Sequence, residues 1–146
     1  MRLILNSILL VFLISIVSSG CKKENLNAQL GIPLIDVDQY VLLNNPSNQS
    51  LNAVGGWVYL DAGSRGIVIY HRSFDEFVSF DRHCTYQTQE SCGKVSVDSS
   101  NIFLSCACCD SRFSLIDGSA INGPTINPLL QYQSQLSAPG ILHVWN

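Results

Sequence analysis

The chain has 146 residues and a formal net charge of -3, and charged residues make up only 13% of it. A weakly acidic surface of this kind argues against nucleic acid as a partner. Frequent Val, Ile and Leu with so few charges exclude disorder by composition, so the chain should fold.

At the N-terminus, Met1-Arg2 precedes an apolar run, Ile8 to Val17, followed by Ser18-Ser19-Gly20-Cys21. This is the layout of a secretory signal with a lipobox-like end, and the run is too short to span a bilayer. Residues 1–20 are expected to be cleaved as a signal peptide and Cys21 to be lipidated, which places the protein in the bacterial cell envelope, lipid-anchored and extracytoplasmic. Residues 21–30, with the polar stretch Lys22-Lys23-Glu24-Asn25, read as a flexible tether. Residues 31–146 are long enough for one domain with its own core.

In chain order, Ile35 to Leu43 alternates only partly and is broken by Asn44-Asn45-Pro46-Ser47-Asn48, which predicts an edge strand followed by a loop. Gly55-Gly56 then opens a series of short β-branched and aromatic runs: Trp57 to Leu60, Gly66 to His71 and Phe77 to Phe80. Further runs follow at Lys94 to Val97, Asn101 to Ser105, Phe113 to Ile116 and Ile141 to Trp145. Turn formers separate them, at Asp61-Ala62-Gly63-Ser64, Asp98-Ser99-Ser100, Asp117-Gly118 and Pro139-Gly140. Strands at this spacing predict an antiparallel all-β domain, with no helix of three turns. No glycine-rich phosphate loop precedes a helix, so nucleotide binding has no support.

The chain has six cysteines. With Cys21 as a lipid thioether, Cys84, Cys92, Cys106, Cys108 and Cys109 remain, an odd number that disulfides alone cannot use. Two bridges leave one free thiol; one bridge leaves three thiols free for a metal or for each other. An extracytoplasmic compartment favours oxidation. Zinc is a further option, because Cys106-x-x-Cys109 together with Cys84 and Cys92 would give a tetrahedral four-thiolate site. Thioredoxin-like exchange at that C-x-x-C would need an exposed helix N-terminus, which a β-rich segment does not supply.

His83-Cys84-Thr85-Tyr86, followed by Cys106-Ala107-Cys108-Cys109-Asp110-Ser111-Arg112-Phe113, is similar to the two cluster-binding loops of the Rieske iron-sulfur family. Gly66 to Tyr70 and Phe77 to Arg82 look like the strands that lead into the first of those loops. Asp117-Gly118-Ser119, Gly123-Pro124-Thr125, Pro128-Leu129 and Tyr132 resemble the family's sequence after the second, including its proline loop. The likeness runs from about Val54 to Val144.

The resemblance implies an all-β, Rieske-like antiparallel β-sandwich with a small two-loop subdomain that clasps a [2Fe-2S] cluster for electron transfer. In that family two thiolates hold one iron and two imidazoles the other. By position, Cys84 and Cys106 match the thiolates, while Tyr86 and Cys109 stand where the imidazoles would be. The ligand set is degenerate, and a phenol binds iron only as phenolate, so additional anionic ligands would lower the potential. The resemblance also implies a disulfide between Cys92 and Cys108 and a supporting hydroxyl at Ser111. It implies folded export behind a twin-arginine leader, whereas this leader has a single Arg2.

The alternative is a cluster-free tip stapled by disulfides, with Cys84 paired to Cys106 or Cys109, acting as a structural or interaction module of the envelope. His83 precedes Cys84 and should point to the opposite face of an extended segment, as a polar loop residue and not a ligand. His71 and His143 read as surface or half-buried histidines. Serines are not set in a G-x-S-x-G elbow, and Asp75, Glu76, Asp81 and Asp110 read as a solvated loop face. No independent catalytic activity is expected. Beyond membrane lipid at Cys21, the partner expected is an envelope redox or assembly protein.

Overall fold

The structure, a computed structural model, describes residues 29–146. The expected signal peptide, Cys21 and the tether up to residue 28 lie outside the described residues.

Among the described residues, ten strands make two antiparallel sheets. They are β1 (Asp38–Leu42), β2 (Trp57–Leu60), β3 (Ile67–Ser73), β4 (Glu76–Asp81), β5 (Val95–Val97), β6 (Phe103–Cys106), β7 (Arg112–Ser114), β8 (Ala120–Asn122), β9 (Gln131–Ala138) and β10 (Ile141–Trp145). Six of them order as β1-β10-β9-β4-β3-β2, and the other four as β5-β6-β7-β8. The first expected strand is present as an edge strand, beginning at Asp38. The stretch after it, read from sequence as a loop, forms a 3-10 helix over Pro46–Asn52, with Asn45 as its cap and Pro46 opening its first turn.

The six-stranded sheet is buried on both faces in its middle. Along β3, Ile67 and Ile69 enter one core while Val68 enters the other, as the two-residue period of a strand requires. The first core gathers Val41 of β1 and Leu142 and Val144 of β10 against Val58, Ile67, Ile69 and Phe77. All of these come from one sheet, which therefore curls on itself. The second core packs Val68, Val78 and Phe80 against Val95, Leu104, Phe113 and Leu115 of the small-sheet side. Each fully buried aliphatic or aromatic side chain there contributes roughly 1.5–3 kcal/mol of burial.

Two glycines make the second core and its neighbouring loops possible. Gly118 has φ +72°, and a Cβ there would lie 2.6 Å from the Phe80 ring. Gly123 has φ +103°, and a Cβ there would lie 2.5 Å from Ser111 Cα. Glycine tolerates both the left-handed backbone and the close approach. Gly123 thereby lets the Pro124 loop lie directly against the Cys106–Ser111 loop.

Candidate metal centre at the tip of the small sheet

Asp81 ends β4, and its side chain is fully buried. Its Oδ2 accepts from Ser64 N–H at 2.7 Å and from the Tyr132 hydroxyl at 2.8 Å. Its Oδ1 accepts from His83 N–H at 2.8 Å and Arg65 N–H at 3.3 Å. The expectation of a solvated Asp81 is therefore corrected. Residues 77, 79 and 81 of β4 share a face, which carries Asp81 inward beside the buried Phe77 and Ser79. Burial and the adjoining Asp81 carboxylate push the Tyr132 phenol well above its usual range.

From this joint the chain enters the first loop. His83 is buried, with Nδ1 2.8 Å from Ser64 Oγ and Nε2 2.7 Å from the Thr88 carbonyl. Because a carbonyl only accepts, Nε2 carries the proton and Nδ1 accepts from the serine. Burial lowers the His83 pKa and keeps the ring neutral, opposed by its bond to Thr88. His83 is thus a buried structural residue with both nitrogens engaged, which replaces the expectation of a polar loop side chain. Arg65 ties the same loop down by donating to the carbonyls of Thr88, at 3.1 Å, and Glu90.

The second loop is short and closes on itself. Cys106 N–H donates to Ser111 O at 2.9 Å, Asp110 N–H donates to Cys106 O at 3.0 Å, and Asp110 takes a left-handed φ of 56°. Thr85 joins the proline loop to the first loop, its hydroxyl 3.0 Å from Thr125 Oγ1 and donating to Asn127 O at 2.9 Å. Cys92 and Cys108 form a disulfide between the first two loops, with Cα atoms 5.4 Å apart.

Cys84, Cys106 and Cys109 are free thiols whose sulfurs all lie within 4.8 Å of one another. Cys84 and Cys106 are buried and Cys109 is partly exposed. The Cys84 and Cys109 sulfurs are 3.5 Å apart, and Cys109 Sγ is 3.1 Å from Ser111 Oγ. Burial, reinforced by the Cys106 thiol, pushes the Cys84 thiol up to about 12 despite the N–H of Tyr86. Burial also raises Cys109, but the Ser111 hydroxyl and amide and the two neighbouring thiols outweigh it, and its pKa falls below the usual thiol value. Of Cys84 and Cys109, Cys109 is therefore the one that gives up its proton more readily.

Thiolates are the donors that iron-sulfur clusters and other soft metal sites take. Three of them in mutual reach, two shielded from water, fit such a cofactor by donor chemistry. Ser111, expected to lend a supporting hydroxyl, has its Oγ beside the sulfur of Cys109. Tyr86 is 49% exposed, and its phenol makes no hydrogen bond among the described residues. The four-thiolate zinc site is overturned, because Cys92 is consumed in the disulfide with Cys108 and offers no thiolate. Cys84 and Cys106 are not bridged to each other or to Cys109. His71 and His143 lie elsewhere. His71 stacks on Phe77, and His143 stacks between Tyr40 and Trp145.

No family model matches the chain, and no curated protein matches it. Among solved structures it is similar to the cyanobacterial plasma membrane Rieske protein PetC3 from Synechocystis PCC 6803, with a TM-score of 0.53 and 20% identity over 68% of this chain and 95% of that one. A second similar structure is the ferredoxin of carbazole 1,9a-dioxygenase from Nocardioides aromaticivorans IC177, with a TM-score of 0.44 and 14% identity over 66% of this chain and 91% of that one. The two sheets and the stapled loops thus define an all-β domain with a two-loop tip. Its fold is the Rieske fold.

Proposed function

We propose that the chain is a membrane-anchored, Rieske-like electron-transfer protein of the bacterial envelope whose ligand set has changed from imidazole towards thiolate. The observation that carries this reading is the meeting of Cys84, Cys106 and Cys109 as free thiols on two loops stapled together by Cys92–Cys108. Cys84 and Cys106 would hold one iron of a [2Fe-2S] cluster, and Cys109 with Tyr86 the other. Such a cluster, when bound, takes up and gives back one electron. The protein's part is to exclude water from Cys84 and Cys106, to donate the Ser111 hydroxyl to Cys109, and to hold both loops still. Extra anionic ligands place its potential below that of a two-imidazole centre. It has no catalytic activity of its own, and its partner is a redox or assembly protein of the envelope.

The protein purified from its native envelope should absorb in the visible. Cys106→Ser should abolish that absorption, and Tyr86→Phe should shift it or bleach it. A second reading is favoured by the 3.5 Å approach of the Cys84 and Cys109 sulfurs, a short step from a disulfide. In that reading the tip is a cluster-free, stapled interaction module. A colourless native protein with a Cys84–Cys109 crosslink would establish it and overturn the first.

A further inference from the structure

The outer face of the β1–β10 pair carries Tyr40, Leu42, Ile141, His143 and Trp145, with Asp38 at its edge. Register places Leu42 beside Ile141, Tyr40 beside His143 and Asp38 beside Trp145. Tyr40 is 61% exposed and Leu42 48%. The Tyr40 and His143 rings stack at 4.4 Å and 1° between planes, and His143 stacks on Trp145 at 4.4 Å and 18°. The carboxylate on this face, Asp38, is 2.6 Å from His143 Nε2 and keeps 70% of its side chain exposed, which suits the headgroup level rather than the acyl chains. The neighbouring strand β9 turns uncharged Gln133 and Gln135 to the same side.

This face lies where the anchor would deliver the domain. Trp145 pairs with Gln133, and Gln131, two residues earlier on β9, pairs with Phe80 just before the first loop, so Trp145 marks the tip end of the ladder. The N-terminal segment arrives from that same end. Gly31 O accepts from the Gln89 side chain of the first loop at 3.5 Å, exposed Leu34 and Ile35 follow, and β1 then starts opposite Trp145. Residues 21–28 span at most about 3.3–3.6 Å each, which holds Gln29 within about 30 Å of a lipidated Cys21. Tyrosine and tryptophan with one apolar and one polar end favour the boundary between headgroups and acyl chains.

We infer that the Tyr40–His143–Trp145 face is a bilayer-docking surface that lays the domain on the membrane with its cysteine tip beside the headgroups. The inference rests on lipidation of Cys21. Its consequence is that the tip addresses a partner at or in the membrane rather than one free in the aqueous compartment.

The test uses the full lipidated chain reconstituted into phosphatidylethanolamine and phosphatidylglycerol vesicles doped with a bromine-labelled phosphatidylcholine. Trp57 and Trp145 are the two tryptophans. With Trp57→Phe, emission from Trp145 should be quenched at least about twofold by the brominated chains. With Trp145→Phe, the remaining Trp57 emission should be unaffected, and Tyr40→Glu should weaken quenching of Trp145 while leaving the Cys92–Cys108 disulfide formed. Unquenched Trp145 in a chain whose intact mass shows acylated Cys21 overturns the docking surface and leaves the anchor standing. Absence of acylation overturns both. Crosslinks between Tyr40 faces of two chains, without bromine quenching, would assign the face to a second copy and likewise overturn it.

Discussion

The Asp81 joint and the cysteine tip are separated by two residues of chain and built on opposite rules. At the joint each oxygen of the buried carboxylate takes two donors, and both nitrogens of His83 are spoken for. At the tip the buried thiols of Cys84 and Cys106 pack against the second core, and the polar groups about Cys84 are the other two thiols and the Tyr86 N–H. A buried polar network with every member satisfied rigidifies its surroundings. A buried set of soft donors with few partners is suited to receive something.

The largest way to break that contrast is Asp81→Ala. It strands the Tyr132 hydroxyl and three backbone N–H groups, and should cost about 3–4 kcal/mol in denaturant unfolding. Loss of the Cys92–Cys108 bridge, whose residues are 16 apart, comes next. The double change Cys92→Ala and Cys108→Ala should cost about 3 kcal/mol by the same measurement. It should also loosen the tip, seen as faster alkylation of Cys84 and Cys106, whereas Asp81→Ala acts on the whole fold. Tyr132→Phe removes one donor from Asp81 Oδ2 and should cost about 1–2 kcal/mol without changing thiol reactivity.

The smallest effect is that of pH. His83 has a lowered pKa in the folded protein, so the unfolded chain binds the proton more readily. Its contribution to stability is complete above the ordinary histidine pKa of about 6.5 and is lost as pH falls from there through the folded value. The unfolding midpoint of the wild type should therefore drop on acidification below about pH 6.5, and the drop should shrink in His83→Gln. An unchanged pH profile in that variant would remove His83 from the joint.

Much of the frame was legible because its strands are β-branched and aromatic. Ile67-Val68-Ile69 and Phe77-Val78-Ser79-Phe80 carry both cores and announce themselves. Strand β9, Gln131–Ala138, is an expectation the sequence did not raise. Its glutamines and serines have little strand propensity, and tertiary pairing with β10 and β4 makes it a strand. The short β8 was missed for a similar reason, resting on pairing with β7 alone. At the site, the resemblance of the two loops brought forward Cys84, Cys106, Cys109 and the Cys92–Cys108 pair together. The joint was hidden, because Ser64, Asp81 and Tyr132 are far apart in the chain and each is ordinary by itself. The available signal was parity along β4, which sets Asp81 on the face of Phe77 and Ser79.

The tip is proposed to hold a thiolate-bound iron-sulfur centre on a Rieske-like frame. The most direct measurement is iron and acid-labile sulfide, with thiol titration, on the protein taken from its native envelope. The account predicts iron and sulfide in equal amounts at about two per chain, with Cys84, Cys106 and Cys109 protected from alkylation until the metal is removed. Metal-free protein in which these three thiols react at once, or in which Cys84 and Cys109 are already joined, would contradict it.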